Sequence, residues 1–418
     1  MRSAAVTLAQ WAAGFEPTPD DLALAHRSLL DTVAVTLAAR DHRVTRLAAP
    51  LSDDARWAIA GHVLDFDDLH MPSTAHVSAV CVPTALAVGG GARAYLAAAG
   101  VMTRIGTALG WRHYSAGWHA TCTAGAPASA AGAAVALGLP TEKIAIAMAL
   151  AVPSAGGVQR AFGTDAKSLQ VGFAVNAGIR AARLAAAGAN ADPAALDAWL
   201  ELVGGDPAAV DPGGPAIPDG LAIKIYPCCY ALQRPINALS TLAAQGLDPA
   251  RVRRIVLRTP EATVVPLIHH RPVSGLQGKF SLEYAAAAAL LDAYPGFGSF
   301  TDSAVRRDAA QRLVGLVEVT LEPGGNWLLD GQLEADVHTS DGTILRASQQ
   351  FPPGSPARPP SAAQLQSKLA ECVRGLDTDP NSWTWENAAG TLRRFLPGES
   401  SWTPPGTTAA PQEGRSER

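Results

Sequence analysis

The stretch GHVLDFDDLHMPSTAH, residues 61–76, sets three histidines and three aspartates in sixteen positions. Histidine is the side chain whose ordinary pKa lies near neutrality, so it can take or give a proton under physiological conditions. A carboxylate beside it can orient the ring or share the task. Alanine, valine and glycine dominate the surrounding sequence. The ionisable groups therefore form either a solvated turn or one wall of a cleft. If a helix runs through the stretch, His62 and Asp65 share a face and Asp68 lies three residues beyond. Pro72 would end that helix and leave His76 in a loop before the helix of VSAVCVPTALAV.

A second cluster is AGWHATCTAGAPASAAG, residues 116–132. His119 stands among small polar residues just ahead of a helix, whose free N–H groups favour an anion such as a carboxylate. A polar loop capping that helix is the alternative. Lys167 in FGTDAKSLQ and Lys224 in LAIKIYPCCYALQ sit among apolar neighbours, so each either snorkels to water or pairs with an anion. Tyr284 falls in an alanine-rich helix, a usual core position. Cys228 and Cys229 are adjacent and no second pair exists, so they are a poor zinc set and no metal is expected.

These residues need elements to hold them. Residues 20–40 read as a helix with Asp20 and Asp21 in its first turn. Helices follow on both sides of Gly89–Gly91, over 128–139 after Pro127, and from Thr141. VGFAVNAGIRAARLAAAGA has the small-residue spacing of a buried helix. The first 245 or so residues thus read as almost wholly helical. The period then changes. RVRRIVLRT (251–259) and LVGLVEVTLEP (313–323) are strand-like, and GQLEADVHTSDGTILRAS is a hairpin turning at Asp341-Gly342. FSLEYAAAAALLDAY between them is a helix.

The expected fold is mainly α: a large helical domain over 1–247, an α+β lid over 248–358, helices over 359–396 returning to the body, and a disordered tail over 397–418.

Composition narrows the partners. Hydrophobic residues make up 48% and charged ones 17%, with a net charge of -4, so neither a nucleic-acid partner nor a solvating acidic tail is indicated. No apolar run is long enough for a membrane span. Five cysteines without a C-x-x-C pair, and a start that makes a poor signal peptide, lead us to expect a cytoplasmic protein.

The segments GHVLDFDDLH, AHVSAVCVPTALA, GWHATCTAGAPASAA, FGTDAKSLQVGFAVNAG, IKIYPCCYALQ and GKFSLEY, in that order, resemble the MmgE/PrpD family. That family includes 2-methylcitrate dehydratase, cis-aconitate decarboxylase and iminodisuccinate epimerase. The resemblance implies a helical domain with an α+β lid, a homodimer, and chemistry with neither metal nor organic cofactor. Motif by motif it implies Asp65, His76 and His119 as catalytic residues, with Lys167 and Lys224 binding substrate carboxylates. Tyr284 would close the site from the lid. Where the decarboxylases carry a threonine after L-D-x-D-D, Leu69 stands here, and Cys228-Cys229 replaces their histidine after the second lysine. The family's reactions make or quench a carbanion beside a carboxylate. The expectation is a dehydratase of a hydroxy-carboxylic acid. Epimerisation or decarboxylation of a related di- or tricarboxylate, and a non-catalytic carboxylate-binding protein, are the alternatives.

Overall fold

A computed structural model describes residues 3–292, 294–325, 327–396 and 398. The tail expected over 397–418 lies outside the described residues, Gly398 apart. The fold is mainly α with a smaller α+β part.

The body is built from helices that include Pro19–Ala38, Asp53–Val63, Ser78–Val88, Gly91–Ser115, Ala120–Ala136 and Ala166–Ala186. Small side chains set how closely they pack. The Ala166–Ala186 helix lies on both Asp53–Val63 and Ala120–Ala136. A Cβ placed on Gly178 would fall 2.5 Å from the Ala126 carbonyl oxygen, so even alanine there would push two helices apart. Alanine's high helix propensity stabilises these helices without bulky side chains. After the second unit the chain returns: Leu369 and Cys372 of the Ala362–Cys372 helix, and Leu392 of Ala388–Phe395, join the body core. Lys368 pairs there with Asp31 at 2.7 Å and donates to the Phe66 carbonyl at 2.8 Å. A distant helix thereby braces the 61–76 stretch from behind.

The second unit holds one sheet of order β2-β1-β3-β4, formed by Val252–Pro260 (β1), Val317–Glu322 (β2), Leu333–Thr339 (β3) and Ile344–Gln349 (β4). β1 and β2 are parallel and so need a crossover, which contains the Leu282–Asp292 and Asp308–Val314 helices. β1–β3 and β3–β4 are antiparallel. The Gln233–Ala243 helix places Ile236, Leu239 and Leu242 in this second core, so that core begins before residue 248.

Four local expectations change. The helix expected to run towards Pro72 stops at Val63, because Asp65 takes a left-handed conformation at φ 55°. The helix expected after Pro127 begins at Ala120 and carries Pro127 within it. The strand expected from 313 starts at Val317, since Leu313 and Val314 end a helix. Residues 203–232 contain only short 3-10 turns, so the first part is less uniformly helical than its alanine content suggests.

Candidate active site

Asp65 is the centre of the site. Left-handed backbone is uncommon outside glycine and is best tolerated by Asn, Asp and His. Here it turns the chain off the end of the Asp53–Val63 helix and points the carboxylate inward, 2% exposed. Lys224 Nζ contacts Oδ1 and also donates to Asp65's own carbonyl at 2.9 Å. Lys167 Nζ lies 3.4 Å from Oδ2. Burial alone would raise the carboxyl's pKa, but Lys167 and Lys224 outweigh it and hold Asp65 well below the ordinary range.

Two residues on, Asp67 does something the sequence pattern did not single out. Its Oδ2 is 2.7 Å from His62 Nδ1 and 2.9 Å from His76 Nδ1. Burial opposes its charge, yet the two rings keep its pKa well down. An ionised carboxylate only accepts hydrogen bonds, so both rings carry their proton on Nδ1. His62 Nε2 is then an acceptor, and Lys167 Nζ donates to it at 2.7 Å. His76 Nε2 is also left unprotonated, 3.8 Å from Asp65 Oδ1. Burial, with help from Lys224, lowers the His76 pKa to about 3, so the ring is neutral and Nε2 keeps its lone pair. Asp68 turns the other way and holds the Ser78 N–H at 2.9 Å, at the start of the Ser78–Val88 helix.

His119 occupies the N-cap of Ala120–Ala136 and is 1% exposed. Its ring stacks on His62 with centroids 5.6 Å apart and meets Phe162 edge-on at 5.1 Å. Gln170 Nε2 lies 2.6 Å from its Nδ1 and Cys122 Sγ lies 3.2 Å away. Among the described residues its Nε2 has no hydrogen-bond partner.

These groups meet at an enclosed cavity where body and second unit join. Asp65, Leu69, Thr74, His76, Tyr114, His119 and Lys167 line it from the first part, and Cys229, Tyr230, Phe280 and Leu328 close it. The space open to water centres is ≈ 20 Å³, enough for little more than one water molecule. Thr74 is a second left-handed residue, at φ 54°, an outlier for a β-branched side chain. Its loop is held by His70, whose Nδ1 meets Ser73 Oγ and whose Nε2 meets the Pro218 carbonyl, both at 2.8 Å.

The structure brings Asp65, His76, His119 and Lys167 onto one cavity. Lys224 lies behind Asp65, fully buried and off the cavity wall. Tyr284 is not brought to the site: its hydroxyl donates to the Ser299 carbonyl and its ring packs on Phe300 within the second core. Cys229 lines the cavity with its thiol pushed up to about 12 by burial, hence protonated, while Cys228 points into the second core. Lys279, in GKFSLEY, was not singled out either. Its Nζ donates to the Leu64 and Pro227 carbonyls, each at 2.5 Å, and so ties the second unit to the residue before Asp65. Burial lowers its pKa to about 8.

The His62, Asp67 and His76 ligand atoms lie within 4.8 Å of one another, close enough to bind a metal ion. The donor set fits poorly. Both Nδ1 atoms already donate to Asp67, and Lys167 puts a positive charge on the far nitrogen of His62. A cation would have to displace two protons and face that charge.

Comparisons with known proteins agree with the layout. The model of the MmgE/PrpD N-terminal domain matches residues 55–200, and that of the C-terminal domain matches 226–382. Cis-aconitate decarboxylase of Aspergillus terreus is 27% identical over 287 residues, covering 60% of this chain and 57% of that protein. The Homo sapiens enzyme of that name is 29% identical over 224 residues, covering 49% and 45%. The Mus musculus one is 26% identical over 343 residues, covering 74% and 69%. The alignments with the first two span about half the length of those relatives. Two family domains in the right order, on the same residues that build the cavity, lead to one conclusion: the chain belongs to the MmgE/PrpD family.

Proposed function

We propose that the protein is a cofactor-independent lyase that dehydrates a hydroxylated di- or tricarboxylate through an enolate-like carbanion. The observation that carries this reading is His76. Its Nδ1 proton is fixed on Asp67, which leaves Nε2 as a proton acceptor on the cavity wall. In the reaction, Nε2 takes the proton from the carbon next to a substrate carboxylate. The C–H electron pair first spreads onto the adjacent carboxylate as the enolate-like carbanion; it then forms the new double bond as the C–O bond breaks, and the imidazolium gives its proton to the departing hydroxide, giving water. The imidazolium would lie between Asp67 and Asp65, two carboxylates that offset its charge. A polyanionic substrate raises the proton affinity of His76 above that of the empty site. Lys167 is the cation on the cavity wall and would hold a carboxylate. Room for such a substrate requires the Phe280 and Leu328 wall to draw back.

Decarboxylation is the second reading, favoured by the names of the curated relatives. It would use the same carbanion. Leu69 and Cys229 on the cavity wall, where the resemblance gives the decarboxylases threonine and histidine, favour dehydration of another acid. The test is solvent proton exchange in deuterated water over a panel of hydroxy and unsaturated di- and tricarboxylates. Deuterium incorporation next to a carboxylate, lost in His76→Gln, supports the carbanion. Absence of exchange with every acid that binds would leave a non-catalytic carboxylate-binding protein.

A further inference from the structure

Gln170 does not line the cavity that holds His119, yet its amide is anchored at both ends. The Val158 N–H donates to Gln170 Oε1 at 3.2 Å, and Gln170 Nε2 faces the Val158 carbonyl at 3.4 Å. Turning the amide over would set donor against donor and acceptor against acceptor. Val158 is itself fixed, bridged to Trp118, with His119 N–H donating to the Gly157 carbonyl at 3.0 Å. Gly157 has φ 126°, and a Cβ there would strike Cys122 Cβ at 2.8 Å, so only glycine lets these three segments nest. The amide's N–H₂ therefore faces His119 Nδ1 at 2.6 Å.

The Cys122 thiol, 3.2 Å away, adds a second donor to the same nitrogen. Burial pushes that thiol's pKa up, so it keeps its proton. With donors on both approaches, Nδ1 can only accept. The ring's proton must then sit on Nε2, which is buried, lacks a partner among the described residues and belongs to a ring on the cavity wall.

We propose that Gln170 is a positioning residue that, with Cys122, fixes His119 as a neutral imidazole protonated on Nε2, which donates a hydrogen bond to the substrate oxygen that gains charge in the enolate-like state. His119 and His76 are thereby set in opposite senses. Asp67 puts the His76 proton on Nδ1 and leaves a base; Gln170 puts the His119 proton on Nε2 and leaves a donor. A neutral imidazole gives up its second proton far less readily than an imidazolium. His119 thus stabilises charge instead of carrying a proton, a pattern of neutral-histidine electrophile that other enzymes use. The catalytic half of this proposal rests on the carbanion reading above, whereas the tautomer does not.

The test uses the full chain labelled with ¹⁵N-histidine and no ligand. The His119 ring, identified by its loss in His119→Gln, should show a pyridine-type Nδ1 and a pyrrole-type Nε2. Gln170→Glu replaces the donor with an acceptor and should move the proton to Nδ1, while circular dichroism remains native. Gln170→Leu, which leaves Cys122 in place, serves as the check that the fold survives loss of the amide. In the exchange assay, Gln170→Glu should lose about 10²-fold in rate, the usual cost of one oxyanion donor, with little change in KM. His119→Gln, which can still donate, should retain more activity than His119→Leu. A protonated Nδ1 in the wild type, or a tautomer indifferent to Gln170→Glu, overturns the proposal. If the tautomer behaves as stated and no carboxylate exchanges protons, the carbanion reading falls and the tautomer assignment holds.

Discussion

His76 Nδ1 stands 2.9 Å from Asp67 Oδ2, and that hydrogen bond decides which nitrogen of His76 is free to take a proton. The same oxygen serves His62, so one carboxylate fixes two rings. Asp67→Asn should therefore damage both. The amide cannot accept from two Nδ1–H groups on one oxygen as well as a carboxylate does, and His76 loses the charge that favours its imidazolium. Proton exchange should fall by roughly 10²–10⁴-fold, the range for a lost acid/base group. The melting temperature should fall as well, since an unsatisfied buried donor costs about 1–3 kcal/mol. Near wild-type exchange in a folded Asp67→Asn would remove Asp67 and the His76 base from the mechanism together.

Stability should decline on mild acidification, because the buried histidines whose pKa is lowered outnumber the carboxyls that burial raises, Asp31 and Asp68, the latter to about 7, which act in the opposite sense. Burial lowers the pKa of His70 to about 4 and of His76 to about 3, both below their ordinary value of 6.5. Between the folded and unfolded values the unfolded chain holds a proton that the folded chain does not. Stability is therefore fully present above pH 6.5 and falls as pH drops through that window, by up to about 1.4 kcal/mol per pH unit for each such histidine. Asp65 and Asp67 are shifted down, so they lose their contribution only below the ordinary carboxylate pKa near 4. Urea midpoints at pH 7 and pH 5 check this. Equal midpoints would mean the buried rings are already charged in the fold.

Much of this was legible in the sequence and some of it could not be. The alanine-rich helices and the turn at Asp341-Gly342 follow from local pattern and appear as read. Extrapolating helical spacing past Val63 failed, because nothing local marks Asp65 as left-handed. That one φ angle sends Asp67, not Asp68, towards the histidines. His62 was visible in the motif, but its link to Lys167 depends on a helix more than a hundred residues away. Lys279 and Gln170 were hidden for the same reason: each acts only once separate segments have docked. Tyr284 shows the converse, a motif residue whose hydroxyl serves the second core.

Lys279 offers a test of how the two units are joined. Its Nζ spans the Leu64 and Pro227 carbonyls, and both lose a charged donor in Lys279→Met. Hydrogen exchange should then rise in residues 64–68 and 226–229 ahead of the helical body. Protection unchanged in both segments would show that the second unit is held by its apolar contacts alone.

A metal should be dispensable. The one candidate ligand group among the described residues spends both histidine Nδ1 atoms on Asp67 Oδ2 and faces Lys167. Exhaustive chelation should leave proton exchange intact, and elemental analysis should find no stoichiometric zinc or iron. A stoichiometric ion lost together with activity, and abolished by His62→Gln, would replace the hydrogen-bonded reading of this cluster.

Lys224 separates a substrate ligand from a structural counter-charge. It was expected to bind a carboxylate, but its ammonium is spent on Asp65 Oδ1 and on the Asp65 carbonyl, with no exposure to the cavity. Burial would lower its pKa, yet Asp65 raises it overall, so the pair is charged. Removing one partner of a buried ion pair leaves the other uncompensated and costs about 3–5 kcal/mol. Lys167 remains near Asp65 at 3.4 Å and softens the loss without cancelling it. Lys224→Met should thus lower the urea midpoint markedly. Asp65→Asn in the Lys224→Met background should restore much of it, because the stranded charge is gone while asparagine still tolerates the left-handed backbone. A direct substrate ligand predicts the reverse pattern: Lys224→Met would keep its stability, raise KM, and gain nothing from Asp65→Asn.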